Sequence, residues 1–253
     1  MGKFYKMLWS GAQVLCLTRL LSDELFVRIQ YFVMMGKRLR LNPPVDFNEK
    51  LQWLKLYYRN PLYVRGADKF EVRKLVAQRI GAKYLAKCLG VFDNVDDIKI
   101  DALPQKFVLK ATHGSGWNII CPDKSHIDWN LAKQKMREWL KQDFSLNGRE
   151  WQYHEIKPRI ICEEFLEDPD YPMLRDYKLF TFKGETKYIW VDFTETVVGR
   201  SVEDIKKEVG YAKPKISNGL VRYRNIYDPH WNFMQGRGSL YPCKDSKAQK
   251  RPE

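Results

Sequence analysis

The stretch Phe107-Val-Leu-Lys-Ala-Thr-His-Gly-Ser-Gly-Trp-Asn-Ile-Ile120 constrains this chain more than any other part of it. Phe107–Ala111 reads as a strand, and Trp117–Cys121 resumes the strand pattern after a small loop, His113-Gly114-Ser115-Gly116. Glycines let a backbone approach phosphate oxygens, and successive N–H groups in such a loop form an anion nest. Ser115 adds a hydroxyl donor, and Lys110 adds a point charge for the same phosphates. The loop is not of the Walker A type, because no Gly-Lys-Ser/Thr follows and no helix opens there. By itself it also reads as an ordinary glycine hairpin beside an exposed lysine.

The rest of the chain shows what such a loop is set in. A length of 253 residues suits one large domain or two small ones. The sequence has 44 Lys and Arg against 31 Asp and Glu, a net charge of +13. That excess calls for an anionic partner: nucleic acid, an acidic membrane surface, an acidic polymer or phosphates. The cysteines are Cys16, Cys88, Cys121, Cys162 and Cys243, an odd number with no close pair. This excludes a Cys-x-x-Cys motif and argues for reduced, buried thiols in a cytoplasmic protein. The histidines show no metal-binding spacing.

Two amphipathic helices are expected over residues 1–40, broken near Ser22-Asp23, with Lys37, Arg38 and Arg40 after the second. No apolar run is long enough for a membrane span, although a basic amphipathic start suits an anionic inner leaflet. Asp46 and Glu49 form a helix-start pair, and Phe47, Leu51, Leu54 and Tyr58 mark one face of the helix that follows. Asn60-Pro61 is expected to end it. Further helices are expected over Asp68–Ile80 and from Asp128, and strands over Tyr84–Phe92 and Arg159–Leu166. Tyr177–Phe182 and Lys187–Phe193 read as a hairpin about Lys183-Gly184. Residues 199–219 read as a polar insertion, Tyr223–Trp231 as a weak strand, and the chain from Gln235 as a loose basic tail. Helices and strands alternate early and hairpins follow, which gives an α+β, or mixed α/β, fold class.

A second segment, Pro158-Arg-Ile-Ile-Cys-Glu-Glu-Phe-Leu-Glu167, is an apolar strand ending in acids. A strand end with Glu163 offers an adenine its backbone edge and an acceptor for its amino group. In this order, the glycine loop and the acidic strand resemble the ATP-grasp fold, and the chain resembles more closely its TupA-like, teichuronopeptide-biosynthesis branch. The resemblance runs from about Leu41 to Asn232. It rests further on Asn42-Pro-Pro-Val-Asp-Phe-Asn-Glu-Lys-Leu-Gln-Trp-Leu-Lys55, Asp68-Lys-Phe-Glu-Val-Arg73, Gly148-Arg-Glu-Trp-Gln-Tyr153, Asp176-Tyr-Lys-Leu-Phe180 and Tyr227-Asp-Pro-His-Trp-Asn232.

The resemblance implies a fold that clamps ATP between two α+β subdomains and activates a carboxylate for attack by an amine, with an N-terminal α/β region over 41–105 and a nucleotide-binding region, incomplete at its C-terminal end, over 106–234. It implies Lys69 and Lys110 as phosphate-reaching lysines, and His113, Gly114, Ser115, Gly116, Trp117 and Asn118 as the loop over the phosphates. Glu163 matches the adenine amino acceptor, the Glu164-Phe165-Leu166 run the adenine edge, and Asp176 and Lys178 ribose or phosphate contacts. The family's Mg²⁺ carboxylates are expected late, in blocks like Arg-Val-Asp-x-Tyr and Gly-Glu-x-Thr, and neither occurs here. The surroundings of Asp192, Glu195 and Asp228 do not match those blocks. Two expectations stay open: a truncated member, or one that binds nucleotide without completing the reaction. The family setting implies a ligase of surface-polysaccharide biosynthesis with an acidic polymer or amino-acid substrate. A glycosyltransferase is the alternative, and a nucleic-acid-binding protein a second one for which no motif is present.

Overall fold

The computed structural model describes residues 17–197 and 219–234, together with 7, 10, 11, 199, 216 and 217. The chain separates into two compact units, Met1–Phe165 and Leu166–Glu253.

In the first unit, α1 (Asp23–Met35) starts where the Ser22 side chain accepts the Leu25 N–H, and stops at Gly36, which is left-handed with φ 70°. Its Phe26, Val27, Tyr31 and Val33 form a small core with Leu39 and Leu41. The break expected near Ser22 is therefore a helix cap. The helix expected before it falls largely outside the described residues. The next helix, α2 (Phe47–Tyr57), opens on an Asp46–Glu49 capping box.

The buried side of α2 is not the expected one. Phe47, Leu51 and Tyr58 are exposed, and the helix's fully buried side chain is Glu49. Glu49 accepts from Arg40 Nε at 2.9 Å and from the N–H groups of Val45 and Asp46. A cation and two amides thus satisfy a carboxylate that periodicity alone places on the polar face. The Arg40 hydrogen bond, ahead of the opposing effect of burial, holds the Glu49 carboxyl at about 2, below its ordinary 4.5. A carboxyl lowered in the folded state adds stability above its unfolded pKa and loses it as pH falls through the folded one. Glu49→Gln is expected to flatten acid unfolding between pH 4.5 and about 2. Far-UV circular dichroism against pH checks this, and coincident curves for variant and parent would exclude it.

α2 ends just before Asn60-Pro61, as expected, and Pro61 then starts a further helix. Asn60 caps α3 (Pro61–Ala67), with proline in the first turn where its missing N–H costs nothing. The single helix expected over Asp68–Ile80 is instead α4 (Glu71–Arg79), preceded by a break. The physical reason is Asp68, whose Oδ1 accepts the N–H groups of Phe70 and Glu71 and so begins a new helix.

The core of this unit is an antiparallel sheet of β1 (Cys88–Phe92), β2 (Phe107–Ala111), β3 (Asn118–Cys121) and β4 (Ile160–Glu164), in the order β1-β4-β2-β3. The first and last of these are shorter than expected, and residues 82–84 form a 3₁₀ turn instead of strand. Helix α5 (Trp129–Lys141) is capped by Asp128, as its sequence predicts, and packs Met136 against Phe107, Leu109, Ile160 and Cys162. Cys121 and Cys162 are buried free thiols, and burial pushes Cys162 up to about 12.

In the second unit, β5 (Asp176–Phe182) and β6 (Glu185–Thr196) form the expected hairpin. Its turn residues, Lys183 and Gly184, have φ of 50° and 84°. Both are positive, as in the I′ turn that matches strand twist. β6 continues beyond the expected Phe193 and pairs with β8 (Leu220–Tyr227), which also pairs with β7 (Ile216–Ser217) and β9 (Phe233–Met234). The weak strand expected over Tyr223–Trp231 thus begins at Leu220. Val221, Tyr223, Asn225 and Tyr227 alternate into the interior. It ends where the Asp228 carboxylate takes the N–H groups of His230 and Asn232. Residues 199–219 lie largely, and the tail from Gln235 wholly, outside the described residues. Five α-helices and two antiparallel sheets make an α+β fold among the described residues. None of these helices is long and apolar enough to cross a membrane.

Candidate functional site

Lys69 sits in the break between α3 and α4, and the break is anchored at several points. The buried Asp68 carboxylate is 2.9 Å from Arg159, whose guanidinium lies 4.7 Å from the Phe70 ring centre. The Lys69 N–H donates to the Thr112 carbonyl, and its Nζ donates to the Gly114 carbonyl. The lysine is therefore pinned beneath the glycine loop. Burial, and then the charge of Lys110, push its pKa down.

Lys110 projects from β2 and reaches Glu163 of β4 at 2.6 Å. The other Glu163 oxygen accepts from Arg73 of α4 at 2.5 Å, and Arg73 also donates to the Ala86 carbonyl. β4 lies between β1 and β2, so Glu163 stands on a strand paired on both sides. Lys69, Arg73, Lys110, Gly116, Trp117 and Glu163 line one cavity of about 400 Å³, which Tyr84, Leu85 and Ala86 wall on another side. Three cations against one carboxylate leave this cavity an excess of two positive charges. That arrangement fits a polyanion such as a nucleotide triphosphate.

The loop has a built-in anchor. A Cβ at Gly114 would stand 2.4 Å from the Trp117 ring, so only glycine fits beneath that indole. Gly116 takes a φ of 76°. His113 is 2% exposed and its Nε2 lies 2.9 Å from the Trp139 carbonyl. Burial lowers its pKa, so the neutral ring donates its Nε2–H to α5. Trp117 packs edge-on against both His113 and Phe144. Of the expected loop residues, Gly116, Trp117 and Asn118 line the cavity, His113 and Gly114 are buried, and Ser115 is exposed.

The expected adenine edge looks different. The Glu164 N–H donates to the Lys87 carbonyl, and its side chain accepts the Lys87 N–H. That part of the strand already has a partner. Phe165 lies under the Lys106 ammonium, and Leu166 is exposed at the start of the second unit. Asp176 and Lys178 belong to the second unit. There Lys178 contacts Asp176 and lies 3.2 Å from Asp192, which also binds Arg222 at 2.7 Å and Arg224 at 2.5 Å. Burial raises the Asp192 pKa, but Arg224, Lys178 and Arg222 outweigh it and hold it at about 2.

Sequence reasoning named Lys69, Lys110 and Glu163 but missed Arg73 and the Tyr84–Ala86 wall. Arg73 follows Lys69 by four residues in the same sequence block, and that helical spacing was the available signal. The expected Mg²⁺ carboxylates do not gather. Among the described residues no group of three His, Cys, Asp or Glu side chains is placed to hold a metal ion. Glu163 is the one carboxylate lining the cavity, and it is committed to Arg73 and Lys110. Asp192 is committed to three cations. These donors do not fit a magnesium centre.

A family model described as TupA-like ATPgrasp matches residues 49–202, well over half of the chain. No curated protein and no solved structure matches. The matched span holds Lys69, Arg73, Lys110, the glycine loop and Glu163, as well as the hairpin with Lys178 and Asp192. With a sheet, a loop and a cationic cavity of this kind inside the match, the chain belongs to the TupA-like ATP-grasp family.

Proposed function

We propose that the first unit binds ATP in the cavity between α4 and β4, as part of an ATP-grasp carboxylate–amine ligase. The observation that carries this is the convergence of Lys69, Arg73 and Lys110 on one cavity with Glu163 as its sole carboxylate among the described residues. Lys69 and Lys110 offset phosphate charge, and the Gly116 end of the loop lets backbone approach it. Glu163, held on both oxygens, is oriented to accept a hydrogen bond from the base amino group. When bound, ATP supplies the phosphoryl group that activates a carboxylate for attack by an amine. The acceptor is an acidic surface polysaccharide or an amino acid, which the net charge of +13 suits. The same charge suits work beside an anionic membrane face.

Lys110→Ala tests the reading directly. Isothermal titration with ATP is expected to show at least about tenfold weaker binding, or about 1.4 kcal/mol. Arg73 remains to hold Glu163 in this variant, so the cavity floor keeps a cation. Unchanged ATP affinity would exclude the cavity as the phosphate site.

A further inference from the structure

The cavity has a direction that its partners spell out. The Gly114 carbonyl takes Lys69, while Lys110 takes one oxygen of Glu163. Glu163 takes Arg73 on its other oxygen, and Arg73 donates onward to the Ala86 carbonyl. The polar chain thus runs from the loop's side of the cavity toward the segment Tyr84–Ala86. The loop side carries ammonium groups and glycine backbone, which suit phosphates. The far side carries Val72, Tyr84, Leu85 and Ala86. Its one cation, Arg73, already has a carboxylate and a carbonyl.

Tyr84 stands out on that wall. It is 63% exposed although it lines a cavity, and the Lys83 ammonium lies 5.0 Å from its ring centre. No other aromatic ring among the described residues packs on it. With the Lys83 ammonium over one face, the ring's other face, on the apolar side of a nucleotide-sized cavity, offers a platform for a base.

We infer that the nucleobase lies on the Tyr84–Ala86 side and stacks on the Tyr84 ring, with the phosphates directed toward Lys69 and the glycine loop. This inference rests on the nucleotide reading above. It makes Tyr84 a base-binding residue that no part of the sequence argument had named. Stacking needs the ring and not the hydroxyl, so the role is separable by chemistry.

The test uses the full chain and two probes, ATP and inorganic tripolyphosphate, titrated into the parent, Tyr84→Ala, Tyr84→Phe and Lys110→Ala. Tyr84→Ala is expected to weaken ATP about tenfold, the factor a single stacked base supplies. It should leave tripolyphosphate within about twofold, well inside the tenfold step that 1.4 kcal/mol represents. Tyr84→Phe should keep the parent's ATP affinity, and Lys110→Ala should weaken both probes. ATP affinity unchanged in Tyr84→Ala, or an equal loss for both probes, would overturn the stacking role. A parent that binds neither probe, or a Lys110→Ala variant that binds both as the parent does, would instead overturn the nucleotide reading itself.

Discussion

Substitution of Asp192 by alanine is expected to destabilise the β5–β6–β8 sheet by about 3–5 kcal/mol, the usual cost of removing one partner from a buried ionic group. Asp192 is 2% exposed and carries Arg222, Arg224 and Lys178 on its two oxygens. Strand register puts them there, because Asp192 faces Asp176 across β5 and Arg224 across β8. Arg224 also lies 4.6 Å from the Trp190 ring centre and is itself largely buried. Without the carboxylate Arg224 loses its buried anion, while Lys178 and Arg222 keep about two fifths of their side-chain surface in solvent. Native-state hydrogen exchange is the measurement, since it reads the β6 and β8 amides separately from the first unit. Protection there should fall by about two to three and a half powers of ten at about 1.4 kcal/mol for each. A loss below tenfold would show that the cluster is not a structural hub. The pH dependence has a defined sign. Asp192 is lowered from 3.8 to about 2, so its contribution is complete above pH 3.8 and disappears as pH falls through about 2. The difference between parent and variant should shrink over that window.

Asp68→Ala is the second large effect, and it acts on both stability and the site. The substitution removes the buried pair with Arg159 and the acceptor for two helix-start N–H groups. Breaking the pair costs about 3–5 kcal/mol, and loss of the cap adds about 1 kcal/mol. Asp68→Asn keeps an acceptor oxygen but no charge, so it should recover the cap part and not the pair. Chemical denaturation of the two variants separates these contributions. Lys69 is the residue after Asp68, and its position beneath the loop depends on the turn that Asp68 holds. ATP affinity of the folded Asp68→Ala variant should therefore drop as well. Equal ATP affinity with reduced stability would mean that the loop alone places Lys69.

What was legible in the sequence was local. Asp46 and Asp128 cap the helices they were expected to start, and Ser22 caps the helix after the expected break, because a short acceptor before an apolar run is read within four residues. The strand–loop–strand from Phe107 to Cys121 and the Lys183-Gly184 turn are equally local. The misread elements depend on partners far along the chain or on polar groups that replace apolar ones. The helix expected from Asp68 begins only at Glu71, and Arg159, 91 residues on, holds the Asp68 carboxylate in the turn before it. Glu49 faces inward because Arg40 and two amides satisfy it, and hydrophobic periodicity has no term for that. Lys69, Lys110 and Glu163, named from motif order, line one candidate cavity. Arg73 lies four residues past Lys69 in the same block, but its pairing with Glu163 depends on β4 standing opposite α4.

The pinned lysine beneath the loop has a consequence for the energetics of arrival. Long cationic side chains lose much rotational freedom when they first grip a ligand. Lys69, Arg73 and Lys110 have already lost it, to the Gly114 carbonyl, Glu163 and the Ala86 carbonyl. On the proposed nucleotide reading, an incoming phosphate chain would exchange acceptors with groups that are already aimed, and little reorganisation would remain to oppose it. In the nucleotide reading, the protein oxygens that hold these cations mark the places for which ligand oxygens would compete.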